Sequence, residues 1–183
     1  ARHHGISRLV VARPASVLYG QPSVAALPVR EAEFVPRGVR GVVARAIVDL
    51  LATYRERSMI EFSALAMASV YGPRQRPDGG VVAAFVDAHS SGRPPVMFGD
   101  GRQTRDFVYI DDVVSALVAV IAHKPADHMR TVDVGSGVRT TIGDLAREIA
   151  AYHSAPAPHV TGQYRDGDVR HASCTVEDPV RHL

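Results

Sequence analysis

The chain is predicted to be an α/β protein built on a parallel sheet, and three observations predict it. LVVARPASVLYG (9–20) opens on an apolar, β-branched run, and MIEFSALAMASVYGP (59–73) is apolar almost throughout. Both have the continuous hydrophobicity of strands buried on two faces rather than the alternation of a half-exposed strand. Between them a helix is expected from Val42 to Glu56, within a region that includes VRGVVARAIVDLL (39–51). Strand, helix, strand in that order is the pattern of a right-handed parallel crossover.

The remaining elements follow in turn. Pro14 and Gly20 end the first strand segment, and Gly72 and Pro73 close the second. RQRPDGG (74–80) is a loop, and VVAAFVDAHSS (81–91) is a helix that Gly92 can cap. PPVMFGDGRQTRDFVYI (94–110) reads as two short strands around a Gly-rich turn. Asp111 begins a helix over 111–123, where two adjacent carboxylates suit the free N–H groups and dipole of a helix start better than acid/base work. TVDVGSGVRTTIGDLAREIAAYH (131–153) is strand, turn, helix, with Thr141 and Asp144 spaced as in a capping box. The tail, 154–183, is rich in Pro and His and contains one charged cluster, YRDGDVR (164–170).

Composition narrows the function classes. A chain of 183 residues with 46% hydrophobic and 22% charged residues can bury a substantial core as one domain, or as one domain with a small second lobe. Its longest apolar helix-like run, VVSALVAVIA (113–122), is too short to span a bilayer, so no membrane association is expected. The net charge of +2 and the lack of basic runs beside aromatics give nucleic-acid binding no support. Cys174 is the single cysteine, which excludes an internal disulfide and fits a cytoplasmic protein. The nine histidines show no HExxH spacing, and no metal is expected.

Arg40 and Arg45 interrupt the otherwise apolar helix, and the ordinary expectation is that they lay aliphatic stems along it while their heads reach water. GSGVRT (135–140) partly matches a dinucleotide fingerprint, but Thr140 replaces the third glycine and no acid lies at the ribose-binding distance beyond it. Neither a P-loop nor a GxSxG elbow occurs.

The segment FGDGRQTRDFVYIDD (98–112), combined with SVYGPRQ (69–75) and RDGDVRH (165–171), carries the strongest signal. In this order and spacing these resemble the extended short-chain dehydrogenase/reductase family, in particular its NAD-dependent nucleotide-sugar epimerases and dehydratases of the UDP-glucose 4-epimerase type. The resemblance covers essentially the whole chain. It implies the C-terminal half of a Rossmann-like parallel sheet, over 1–74 and 106–153, with a small α/β substrate-binding lobe over 75–105 and 154–183. It also implies a nucleoside-diphosphate sugar as ligand and NAD as cofactor. By that resemblance Arg105 and Arg165 grip the diphosphate, Asp168 accepts hydrogen bonds from the ribose hydroxyls, and backbone around Val96 and Phe98 lies along the base. Two guanidinium groups suit a diphosphate because each can offer paired, directional N–H donors.

The chain departs from that family where the chemistry is done. The family's Tyr-x-x-x-Lys pair falls on Arg40 and Ala44, and its Ser or Thr falls on Ala15. Ser16 is adjacent, but on a strand it would face the other way. Arg45 cannot stand in for the lysine, because one helical residue turns a side chain by roughly 100 degrees. Arginine stays protonated, so Arg40 is a poor proton shuttle. Ala66 stands where an Arg is usual, and Ser69 where an Asn contacts substrate. No intact catalytic residue is therefore expected, unless His89 or Tyr71 serves as a relocated base. The resemblance further implies dimerisation through the 42–54 helix. The family's first strands and Gly-rich NAD loop have no counterpart here, so either a longer protein or a partner chain is expected to shield the sheet edge. The alternative to an impaired nucleotide-sugar enzyme is a non-catalytic scaffold that pairs with an active paralogue.

Overall fold

Strand β2 (Glu61–Met67) organises the molecule because both its faces are covered. Phe62, Ala64 and Ala66 belong to one apolar cluster, whereas Leu65 belongs to another, against which Met67 also packs. That split is the two-residue period of a strand sandwiched between two layers. Strand β1 (Arg8–Pro14) runs parallel along one side of β2, from Arg8 opposite Glu61 to Pro14 opposite Met67. Strand β6 (Thr131–Val134) runs parallel along the other side, giving the order β1-β2-β6. The computed structural model describes residues 4–20, 38–58, 60–122, 131–153, 156–163 and 169–173.

On the first face, α1 (Ala15–Tyr19) contributes Ala15, Leu18 and Tyr19, and α2 (Gly38–Ser58) contributes Ala44 and Val48. On the second, α4 (Ile110–Ala122) contributes Val113 and Val120, joined by Val108 and Val134. A second sheet has the order β3-β5-β7, with β3 (Ser69–Tyr71) parallel and β7 (Arg139–Thr141) antiparallel to β5 (Thr104–Tyr109). Two short strands, β4 (Val96–Met97) and β8 (His159–Val160), pair in parallel. Helices α3 (Val81–Ser90) and α5 (Ile142–His153) close a third cluster around Phe85, Met97, Ile142 and Ala146.

Several expectations are refined. The run 59–73 is two strands, because the chain leaves the first sheet at Ala68, whose N–H donates to the Val134 carbonyl at 2.8 Å. The strand beginning LVVA stops at Pro14, which has no N–H to continue a ladder, and α1 starts at once. Ser16 therefore lies on a helical turn, and the argument that a strand would point it away from Ala15 does not hold. Arg45 does more than snorkel: its Nε donates to Asp49 one turn on, at 2.9 Å. Asp111 and Asp112 are exposed in the first turn of α4, as a helix start favours. Thr141 and Asp144 do cap α5, with the Asp144 N–H donating to Thr141 Oγ1 at 2.9 Å. The Thr141 hydroxyl in turn donates to Asp144 Oδ2, a variant of the reciprocal box.

Among the described residues nothing pairs with the outer edge of β1, and six of its seven residues are only partly buried.

The first and second sheets are joined at Asp106, which is 2% exposed. Its Oδ1 accepts from the Ser136 N–H at 2.9 Å and the Ser136 hydroxyl at 2.7 Å, and its Oδ2 accepts from the Gly137 N–H at 3.1 Å. Gly135 permits the approach, since a Cβ there would lie 2.6 Å from Asp106 Oδ2. A buried carboxylate needs such donors to offset lost hydration. Asp106→Asn turns one acceptor into a donor facing an N–H group. We expect it to lower unfolding stability by about 3 kcal/mol in urea titrations.

Candidate functional site

The chain turns from strand to helix or loop at the C-terminal ends of β1 and β2, and a cavity of about 540 Å³ opens there. Open α/β sheets leave a crevice at this end because the connections diverge to opposite faces. Pro14, Ala15 and Ser16 form one part of its wall, and Met67, Ala68 and Ser69 another. Opposite contributions come from Val96, Met97 and Phe98 around β4, and from Arg105 on β5. Ser69, Val96, Phe98 and Arg105, four of the residues expected to bind substrate, thus line one cavity, and Ala15 lines it with them. Arg165 and Asp168 lie outside the described residues.

The Arg105 guanidinium is held from behind. Its Nη1 donates to the Thr104 carbonyl at 2.9 Å and to the Arg170 carbonyl at 3.0 Å. Arg170 belongs to a segment that runs alongside β5, where the Asp106 N–H donates to the Ala172 carbonyl at 3.1 Å and the Ala172 N–H to the Thr104 carbonyl at 3.1 Å. The two carboxylates that could have competed for Arg105 have partners of their own. Asp106 is taken by the 135–137 loop, and Asp100 accepts from Arg170 Nη2 at 2.6 Å. That contact with Arg170, followed by the Arg102 N–H, lowers the Asp100 carboxyl below its ordinary value.

The Gly-rich turn is shaped to bring β5 onto α5. Gly99 and Gly101 adopt φ of 72° and 77°, and the Gly143 N–H at the start of α5 donates to the Gly101 carbonyl at 2.8 Å. A side chain at 101 would strike Met97 at 3.0 Å. The GSG loop has a different task from the one its partial fingerprint suggested. Its N–H groups at Ser136 and Gly137 are directed at Asp106, so they are not available to cradle a pyrophosphate. Among the described residues no other glycine-rich strand-to-helix turn offers a dinucleotide cradle, so the described residues alone do not form a pyrophosphate site for NAD.

Ala15 and Ala44, onto which the sequence resemblance carried two of the family's three catalytic positions, are members of one core cluster and are 6% and 3% exposed. Arg40 lies one turn before Ala44 and is exposed. His89 and Tyr71 do not line the cavity. His89 is buried with both ring nitrogens unpartnered and stacks on His153 at 5.9 Å, while Tyr71 packs edge-on against Phe107 and Tyr109. Sequence reasoning missed Ser16 and Ser173, which do line it. The only signal for Ser16 was its adjacency to Ala15, and Ser173 had none.

His171, beside the Arg105 anchor, contacts Thr104 Oγ1 through Nδ1 at 3.0 Å. Burial, then the Arg170 and Arg105 charges, lower its pKa below the ordinary 6.5. Above 6.5 the ring is neutral folded or unfolded and has no effect on stability. Below it the unfolded chain takes up a proton that the folded chain resists, so stability falls until the folded ring also titrates. His171→Gln is expected to reduce the drop in Tm between about pH 7.5 and about pH 5.5, measured by calorimetry.

Comparison with known proteins follows the same lines. Residues 1–135 match the model of the NAD dependent epimerase/dehydratase family. A dTDP-L-rhamnose 4-epimerase of Burkholderia thailandensis is 38% identical over 167 residues, which is 88% of this chain and 46% of that protein. The crystal structure of UDP-glucose 4-epimerase from Thermotoga maritima with UDP-glucose superposes with a TM-score of 0.88 at 28% identity, covering 98% of this chain and 58% of that one. MoeE5 in complex with UDP-glucuronic acid and NAD superposes at 0.85 and 28% identity, covering 99% and 60%. The chain spans about half the length of the curated relatives it matches. With a parallel sheet of this order, a crevice at its C-terminal ends and these matches, the chain belongs to the NAD-dependent epimerase/dehydratase family.

Proposed function

We propose that this chain binds a nucleoside-diphosphate sugar in the cavity at the ends of β1 and β2, and is impaired in proton transfer. The observation that carries the reading is the meeting of Ser69, Val96, Phe98 and Arg105 on one cavity. Arg105, with Arg165 from the 164–170 cluster, grips the diphosphate, and Asp168 takes the ribose hydroxyls. Val96 and Phe98, which are 49% and 36% exposed, offer an apolar strip along which a base can lie. The partition into a Rossmann-like part, 1–74 and 106–153, and a substrate lobe, 75–105 and 154–183, accords with the separate sheet that β4 and β8 form.

Catalytic loss rests on Arg40, Ala44 and Ala15 at the family positions. An arginine cannot exchange a proton near neutral pH, and two methyl groups can neither orient a hydroxyl nor lower a tyrosine pKa. NAD is the family's cofactor, and holding it calls for polypeptide beyond the residues described. The single cysteine supports a cytoplasmic setting.

One observation favours the scaffold reading as well. The outward side of α2 carries Val39, Val42, Val43, Leu50 and Tyr54, between 49% and 81% exposed. An apolar row of that length on one helix suits burial against a partner helix, in a homodimer or with an active paralogue.

Calorimetry is expected to detect UDP binding, and Arg105→Ala to weaken it by about 10- to 100-fold, the effect of losing a charge-assisted contact. UDP-glucose is expected to bind without measurable epimerisation, and robust turnover would contradict the impairment. For the partner reading, light scattering should report a dimer, with Val43→Glu shifting it toward monomer; a monomeric parent would remove that reading.

A further inference from the structure

The cavity's polar equipment goes beyond the contacts assigned above. Ser16 and Ser173 both line it, and among the described residues neither hydroxyl has a hydrogen-bond partner. Ser173 is the sharper case, because the residue is only 7% exposed while its hydroxyl is not among the buried unpartnered atoms, so what it leaves open is on the cavity wall. Here Ser173 directly follows Ala172, which β5 holds through two backbone hydrogen bonds, so its position on the wall is fixed. Ser16 is fixed in a different way, by the abrupt start of α1 at Ala15.

Charge in the cavity is already committed. The charged residues that line it, among those described, are Arg105, Asp106 and Asp78. Asp106 is saturated by the 135–137 loop, and Asp78 is held by Arg76 through two contacts at 3.1 Å. Arg105 is the group assigned to the diphosphate. Gln75 and Gln103 also line the cavity, but their side-chain N–H groups already donate to the Val70 and Gly79 carbonyls and to the Phe98 carbonyl. Among the described residues, a carboxylate on the bound sugar would therefore meet serine hydroxyls, committed amides, apolar side chains and two existing carboxylates. Desolvating an anion in such surroundings without a cation is unfavourable. Hydroxyl-to-hydroxyl bonds, by contrast, suit a neutral ring, since each serine can both donate and accept.

Resting on the nucleotide-sugar reading, we infer that the cavity selects an uncharged hexose over a hexuronic acid, and that Ser16 and Ser173 are specificity-determining residues that hydrogen-bond the hexose hydroxyls.

The test is calorimetric, on the full chain, with UDP, UDP-glucose and UDP-glucuronate as probes. UDP-glucose should bind at least about tenfold more tightly than UDP-glucuronate, the difference expected when a buried anion lacks a partner. Ser16→Ala and Ser173→Ala should each weaken UDP-glucose by about three- to tenfold, the effect of one neutral hydrogen bond, and leave UDP unchanged. Each variant's Tm is read alongside, so that a folding defect is recognised by a lowered Tm and the conservative Ser16→Thr or Ser173→Thr variant is then used in its place. Equal affinity for the two sugars would overturn the selectivity. Serine variants that leave UDP-glucose unaffected, or weaken UDP equally, would overturn their assignment to the hexose. Failure of UDP itself to bind would overturn the nucleotide-sugar reading and this inference with it, an outcome distinct from UDP binding with no sugar preference.

Discussion

The carboxylate of Asp106 is the contact on which the architecture turns. Through Ser136 and Gly137 it ties β5, in the second sheet, to the loop that leaves β6 in the first. Neighbouring strand residues point to opposite sides, so anchoring Asp106 also fixes the direction of Arg105. Asp106 is occupied internally by the Ser136 and Gly137 groups, whereas Arg105 lines the cavity. An anion-binding loop has thus been committed to holding the protein's own carboxylate, and the arginine next to that carboxylate supplies the positive charge of the cavity.

This arrangement accounts for the small residues clustered around it. Gly135 is required because a Cβ would collide with Asp106, and Gly101 because Met97 and the start of α5 close over the turn. The segment 170–172 follows β5 as an added strand-like edge, and its carbonyl at 170 holds the arginine fork from outside. Distant stretches of sequence meet on the cavity wall, and backbone hydrogen bonds hold several of the segments that carry them. Such bonds constrain position without demanding particular side chains, which leaves the cavity lining free to vary while the frame persists.

The sequence made the sandwich legible because β2 is apolar in every buried position but Ser63, and a run of that kind admits few structures besides a covered parallel strand. It also made Ser69, Val96, Phe98 and Arg105 legible as a group, through the resemblance carried by FGDGRQTRDFVYIDD and not through any periodicity. What it concealed were changes of direction. Nothing in MASVYG signals that Ala68 hands the chain from one sheet to another, because both strands are equally apolar and the switch is made by a backbone bond to Val134. The turn at Pro14 was legible as a strand end but not as a helix start, and that single uncertainty reversed the expectation for Ser16. The GSG loop was ambiguous for a related reason: N–H groups that can hold a phosphate hold a carboxylate equally well, and only the fold shows which is present.

Ala15 and Ala44 sit in the cluster that fastens α1 and α2 to β2, together with Leu18, Tyr19 and Val48. At 3% exposure residue 44 is enclosed by that cluster, where a methyl group needs no polar partner. Arg40, one turn away, is exposed and carries a fixed charge that has no need of such shelter. Methyl groups at 15 and 44 let α1 and α2 pack closely against β2. The frame of the cavity is held separately, by Asp106 and the strands it joins.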